Sequence, residues 1–139
     1  MADERLIAQL NKALQSEYKT IFQYVQNSYM VKGMRRPAMV QWLRAQVQKE
    51  MQDAFKLADK IVAVGGIPTT DVPEITHSTK SEVILRESLT LEEETMRAYQ
   101  ECIKVANERG DAALRVFLEG LLAGAEADAE EVRKMIEEE

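Results

Sequence analysis

Apolar residues recur along this chain at steps of three, four and seven, the spacing of one face of an α-helix. They do so in four long segments. The first runs from about Asp3 to Lys32, with Leu6, Leu10, Leu14, Ile21, Tyr24 and Val31 on one seam. Asp3 is placed to cap its start and Gly33 to stop it. The second begins near Pro37, a residue suited to a first helical turn, carries Leu43, Val47, Leu57, Ile61 and Val64, and ends at Gly65-Gly66. The third opens on Thr79-Lys80-Ser81-Glu82, which has capping-box spacing. Its seam is Leu85, Leu89, Met96, Tyr99, Ile103 and Ala106, and Gly110 ends it. The fourth starts at Asp111 and carries Leu114, Leu118, Leu121, Ala125, Val132 and Met135. Segments of roughly 28 residues predict helices about 40 Å long.

The connectors set how these helices pack. A few residues around Gly33–Arg36 join the first two, and Arg109–Asp111 joins the last two. Such short links make neighbouring helices antiparallel. Between the second and third lies GGIPTTDVPEITHS, with two prolines, two glycines and no helical pattern. That stretch is long enough to run from one end of a bundle to the other. The expected fold is all-α: an antiparallel four-helix bundle with one long crossover between helices two and three, forming a single domain over residues 1–139.

The chain also repeats itself at an offset of 75 residues. Leu10 recurs as Leu85, Leu14 as Leu89, Glu17 as Glu92, Tyr24 as Tyr99, Leu43 as Leu118 and Ile61 as Ile136. Internal repeats fix architecture, and this one makes the chain two copies of one helix pair. The repeat carries acids on seams that are otherwise apolar. Glu17, Glu50 and Glu92 each stand seven residues from apolar seam neighbours, Asp53 lies one turn from Glu50, and Asp128 lies one turn from Ala125. Residues one turn apart share a helix face, so five carboxylates converge at mid-height in the core.

A single glutamate on a seam is most often a misjudged face or a snorkelling side chain. Four seams agreeing at one depth, within an internal copy, argue otherwise. Burying an unpaired charge costs several kcal/mol. The acids must therefore hold protons or surround positive charge. The seams supply no Lys, Arg or His, which leaves a metal as the simplest cation. Oxygen-only ligation suits hard ions such as iron, manganese or magnesium. Tyr24 and Tyr99 are core aromatics by position, with hydroxyls that also suit hydrogen bonds to the acids.

Composition narrows the function classes. A net charge of −6 argues against nucleic acid as a partner. The single cysteine, Cys102, permits no internal disulfide and no thiolate-rich metal site, and its seam position reads as an inert core thiol. The start, MADERLIAQL, lacks the basic and apolar regions of a signal peptide. No apolar run approaches the ~20 residues of a membrane span. A cytoplasmic protein is expected.

At these residues the chain resembles the ferritin-like superfamily, bacterioferritins above all. Glu17 with Tyr24 matches the first-helix motif. Lys49-Glu50-Met51-Gln52-Asp53-Ala54 resembles the second-helix Glu-x-x-His run, with Asp53 in the place of the His. Leu89-Thr90-Leu91-Glu92 resembles the third-helix motif and selects Glu92 over Glu93 and Glu94. Ala125 and Asp128 stand where the fourth helix has Glu and His, and Gly65-Gly66-Ile67-Pro68 is similar to the start of the family's crossover. His77, the only histidine, falls in the crossover and is expected in solvent. The resemblance spans essentially the whole chain. It implies iron ligands at Glu17, Glu50, Asp53, Glu92 and Asp128, with one ion held by the first three and a weaker second ion near Glu92 and Asp128. It also implies iron binding, with Fe(II) oxidation or iron storage as the family activity, and manganese or another hard divalent ion as a substitute. The family places haem on a methionine directly after the second-helix glutamate, which here is Met51. Bacterioferritins carry a further short helix after the fourth, and the sequence stops at Glu139, which speaks against a storage cage. The alternative from a different class is a non-catalytic helical scaffold or oligomerisation protein with a degenerate metal site, whose core acids are protonated or hydrated.

The repeat exposes one further contrast. Tyr18, Phe22, Val25 and Tyr29 form an outer stripe whose copies are Glu93, Arg97, Gln100 and Lys104. On the second helix, Met51, Phe55 and Val62 correspond to Glu126, Glu130 and Glu137. Equivalent positions are apolar in one half and polar in the other. The expected cause is a homodimer through helices one and two, open to larger assembly.

Overall fold

The computed structural model describes residues 3–137. It contains four helices, α1 (Glu4–Met30), α2 (Arg36–Ala63), α3 (Ser81–Glu108) and α4 (Ala112–Ile136), and no strand among the described residues. The expectation at Glu139 lies outside the described residues, as do Met1 and Ala2 of the leader reading. Asp3 caps α1 by accepting from Leu6 N at 3.1 Å. Asp111 caps α4 by accepting from Leu114 N at 3.0 Å. Pro37 sits in the first turn of α2. The capping box expected at α3 does not form. Lys80 is the N-cap residue and no side chain caps the helix. Thr79 instead gives its carbonyl to Lys32 N at 2.9 Å, and Lys80 N donates to Ser78 Oγ. The turn before α3 is committed to joining the crossover to the end of α1.

α1 packs against both α2 and α3, and α3 against α4, while α2 and α4 make no comparably close approach. The expected apolar seams meet inside: Leu6, Leu10, Leu14, Leu43, Leu57, Ile61, Tyr99, Cys102 and Leu118 are fully or almost fully buried. Leu89, Met96 and Ile103 are only half-buried, and α3 turns Ser88, Leu91, Thr95 and Cys102 inward beside its heptad positions. Burial at about 25 cal/mol per Å² makes this apolar core the main stabilising contribution.

The crossover is held to α1 by two side-chain amides. Asn11 donates to Ile67 O at 3.0 Å and accepts from Thr69 N at 2.8 Å. Gln23, itself buried, donates to Thr76 O at 2.8 Å and accepts from Thr76 N at 2.9 Å. Each amide mimics one rung of a β-ladder, so the segment climbs the outside of α1 without being helical. At its start Gly66 lies against Ile7, where an added Cβ would stand 2.7 Å from the Ile7 side chain. No described helix is long and apolar enough to cross a membrane.

Gln23→Leu removes both partners of the Thr76 backbone. The expected result is a loss of about 1–3 kcal/mol in urea unfolding, with hydrogen exchange at Thr76 accelerated more than in α2 or α4. Unchanged exchange at Thr76 would show that the crossover is held elsewhere.

Candidate metal centre

The five acids singled out above come from all four helices: Glu17 from α1, Glu50 and Asp53 from α2, Glu92 from α3 and Asp128 from α4. Glu17, Glu50 and Glu92 are almost completely buried, Asp128 is 7% exposed, and Asp53 is half-buried. They form two groups that share one member. Glu17, Glu50 and Asp53 can each offer an oxygen within 4.8 Å of the others, and so can Glu50, Glu92 and Asp128. Glu50 therefore stands between two half-sites. Asp53 takes its place in the first group, consistent with an aspartate reaching about as far as a histidine Nδ1.

The tyrosines cross the repeat. Tyr99 on α3 donates to Glu17 Oε1 on α1 at 2.5 Å, and Tyr24 on α1 donates to Glu92 Oε1 on α3 at 3.1 Å. These core aromatics thus orient the acids through their hydroxyls. One cation reaches the group from beside the seam. Lys49 Nζ on α2 donates to Asp128 Oδ1 on α4 at 2.6 Å. The expectation that no cation stands among the acids is corrected here. A flexible four-carbon stem lets a residue adjacent to the seam deliver its charge to the core.

Among the described residues, three buried side-chain oxygens lack any hydrogen-bond partner: Glu17 Oε2, Glu50 Oε1 and Gln46 Oε1. Gln46 lies one turn before Glu50, on the same face of α2. Native interiors rarely leave such atoms unsatisfied. Hard, oxygen-only donors with unpaired lone pairs fit a divalent ion such as iron or manganese.

The electrostatics agree. Burial, and next the Glu50 charge, holds the Glu17 carboxyl well above its ordinary range. Glu50 is pushed up to about 7, mainly by burial. Glu92 is pushed up to about 9 by burial and then by the Glu50 and Asp128 charges. Asp53 is raised by burial, against the pull of Lys49 and Lys56. Burial alone would lower the Lys49 ammonium, but its bond to Asp128 and the surrounding carboxylates carry it above the usual lysine value.

The remaining candidates lie elsewhere. Cys102 is a buried thiol pushed up to about 12 by burial, an inert core group. His77 is exposed in the crossover, 3.2 Å from Gln26 Nε2. Met51 is half-buried and packs on the core cluster, outside both acid groups. Ala125 is buried in the core and offers no ligand.

A family model described as a ferritin-like domain matches residues 7–139. The chain belongs to the ferritin-like family. It is 27% identical over 124 residues to a bacterioferritin from Desulfovibrio desulfuricans, covering 88% of this chain and 69% of that protein. Its fold superposes with a TM-score of 0.90 on a crystal structure described as a ferritin like, diiron-carboxylate protein from Bacillus anthracis str. Ames. That match has 28% identity and covers 95% of each chain. The ferritin-like bundle and its single crossover are therefore those of the sequence expectation.

Raised acid pKa values fix the sign of the pH dependence. An unfolded glutamate releases its proton near 4.5, whereas folded Glu50 and Glu92 keep theirs to about 7 and about 9. Over that window the folded chain binds more protons than the unfolded one, so its stability falls as pH rises. Each retained proton sets a slope of at most about 1.4 kcal/mol per pH unit. Metal-free protein is expected to melt lower at each step from about pH 5 to about pH 9. Glu92→Gln should flatten the upper part of that range. A melting point that climbs with pH over the same range would contradict the buried-acid arrangement.

Proposed function

We propose that the chain is an iron-binding ferritin-like protein whose core carboxylates hold the metal, with Fe(II) oxidation or iron storage as its work. The observation that carries this reading is the pair of unpaired buried oxygens, Glu17 Oε2 and Glu50 Oε1, facing an acid cluster shared by four helices. Tyr99 serves the other oxygen of Glu17 and leaves Oε2 without a donor. Glu17, Glu50 and Asp53 would hold one ion, and Glu50, Glu92 and Asp128 form the second half-site. Fe(II) held there would supply the electrons that reduce dioxygen or peroxide. The protein's own residues fix the ligands: Tyr99 and Tyr24 hold Glu17 and Glu92 in place, and the surrounding leucines exclude water. The diiron-carboxylate description of the Bacillus anthracis protein and the bacterioferritin likeness support the same reading.

The proposal extends to a homodimer through α1 and α2. Phe22, Tyr29, Phe55 and Val62 are each half or more exposed in the single chain. Arg44 of α2 lies over the Tyr29 ring of α1 at 5.7 Å, which joins the two helices at one end of the stripe. The stripe is carried by two adjacent helices, while its copies on α3 and α4 are charged or polar. A patch of this kind marks an association surface, and two-fold pairing is its commonest form.

Metal-free protein heated under anaerobic conditions with excess Fe(II) should melt several degrees higher. A ligand at a hundredfold excess over its Kd contributes about 2.7 kcal/mol. Glu17→Ala and Glu50→Ala should abolish the shift together with any catalytic Fe(II) oxidation. Absence of a shift with Fe(II), Mn(II) and Zn(II) alike would favour the protonated scaffold. For the dimer, Phe22→Glu combined with Phe55→Glu should halve the mass measured by analytical ultracentrifugation. A native chain that sediments as a monomer would remove the dimer.

A further inference from the structure

The two half-sites are not equally short of positive charge. The unpaired oxygens Glu17 Oε2 and Glu50 Oε1 both belong to the first group, Glu17, Glu50 and Asp53. Each group has one tyrosine donor, Tyr99 on Glu17 and Tyr24 on Glu92, but only in the second is an acid bound directly by an ammonium, Lys49 on Asp128 at 2.6 Å. Glu50 is the only member of that group left with an unpaired buried oxygen, and it shares that oxygen's residue with the first group. The second half-site therefore holds a cation of the protein's own.

The fold makes room for it. α2 and α4 are the pair of adjacent helices without a close backbone approach, and Lys49 spans that gap from a half-exposed position, 43% accessible, to an aspartate that is 9% accessible. At the repeat positions of Lys49 and Glu50, α4 carries Gly124 and Ala125. A Cβ added at Gly124 would meet nothing within 4 Å. One half of the repeat supplies a long cation and an acid where the other supplies almost no side chain. A divalent ion at the second half-site would have to share Asp128 with the ammonium, and like charges at such range repel strongly in a buried setting.

We propose that Lys49 is the built-in counter-ion of the second half-site, so that each chain binds one divalent ion, at Glu17, Glu50 and Asp53, in place of two. This inference rests on the metal-binding reading above and specifies its stoichiometry. Lys49 acts as a positioning and specificity residue: it holds Asp128 and denies the second ion its ligand.

The test is metal stoichiometry. Metal-free protein is titrated anaerobically with Mn(II), bound ion is counted by elemental analysis after gel filtration, and the electron paramagnetic resonance spectrum is recorded. The native chain should bind one Mn(II) with the six-line signal of an isolated ion. Lys49→Gln and Lys49→Met should bind two, with the second ion's affinity raised roughly a hundredfold and the signal broadened by coupling between ions. Lys49→Arg keeps the charge and should stay at one. Two ions in the native chain would overturn the proposal while leaving the metal-binding function intact, and this arm needs no variant to fold. One ion in the native chain and one in both neutral variants would also overturn it. No ion in any form would overturn the function and the inference together.

Discussion

The bundle turns on how carboxylate charge is balanced where water is excluded. Five acids from four helices meet in a core otherwise built of leucine, isoleucine and alanine. Burial favours their neutral forms, which is why Glu17, Glu50 and Glu92 all hold protons above the ordinary carboxylate range. The protein meets this demand with a different device at each acid. Tyr99 donates to Glu17, Tyr24 donates to Glu92, and Lys49 neutralises Asp128. Among the described residues neither Glu50 nor Asp53 accepts from a side-chain donor, and Glu50 is the acid common to both groups. Unpaired buried carboxylate oxygens remain on Glu17 and on Glu50.

The internal repeat explains the symmetry of this arrangement and its failure. Tyr24 and Glu92, and Tyr99 and Glu17, are reciprocal pairs across the α1–α3 contact. The centre is assembled where the two helix pairs meet, so neither pair alone contains it. The outer pairs of positions have diverged: Lys49-Glu50 on α2 corresponds to Gly124-Ala125 on α4. Divergence also separates the outer faces, where Phe22 and Phe55 have charged copies in Arg97 and Glu130. The half that keeps the richer set of core acids is the half with the apolar surface.

Much of this was legible in the sequence because helical periodicity encodes it directly. A heptad step from Leu10 to Glu17 to Tyr24 states the depth of the acid as well as the seam, and glycines at 33, 65 and 110 mark turns where the backbone takes positive φ. Contacts that leave the period were not legible. The capping-box pattern at Thr79–Glu82 failed because α3 starts at Ser81, which makes Lys80 and not Thr79 the N-cap, while the Thr79 carbonyl bonds Lys32, 47 residues distant in sequence. Asn11 and Gln23 gave no signal as anchors of the crossover, since polar residues on α1 read equally well as solvated. Lys49 was missed for a geometric reason: a seam argument assigns charge by Cα position, whereas a lysine delivers it several bonds away.

The placement of Lys49 directly before Glu50 gives α2 control over both half-sites. An ion held by Glu17, Glu50 and Asp53 would share the Glu50 carboxylate with the second group, because Glu50 belongs to both. The ammonium beside it already satisfies Asp128, and Tyr24 holds Glu92. Each step that favours the first ion makes the second half-site a poorer ligand set, so the asymmetry reinforces itself. In a bundle whose two halves descend from one pattern, a single lysine reaching across the widest seam is enough to make equivalent places chemically unequal.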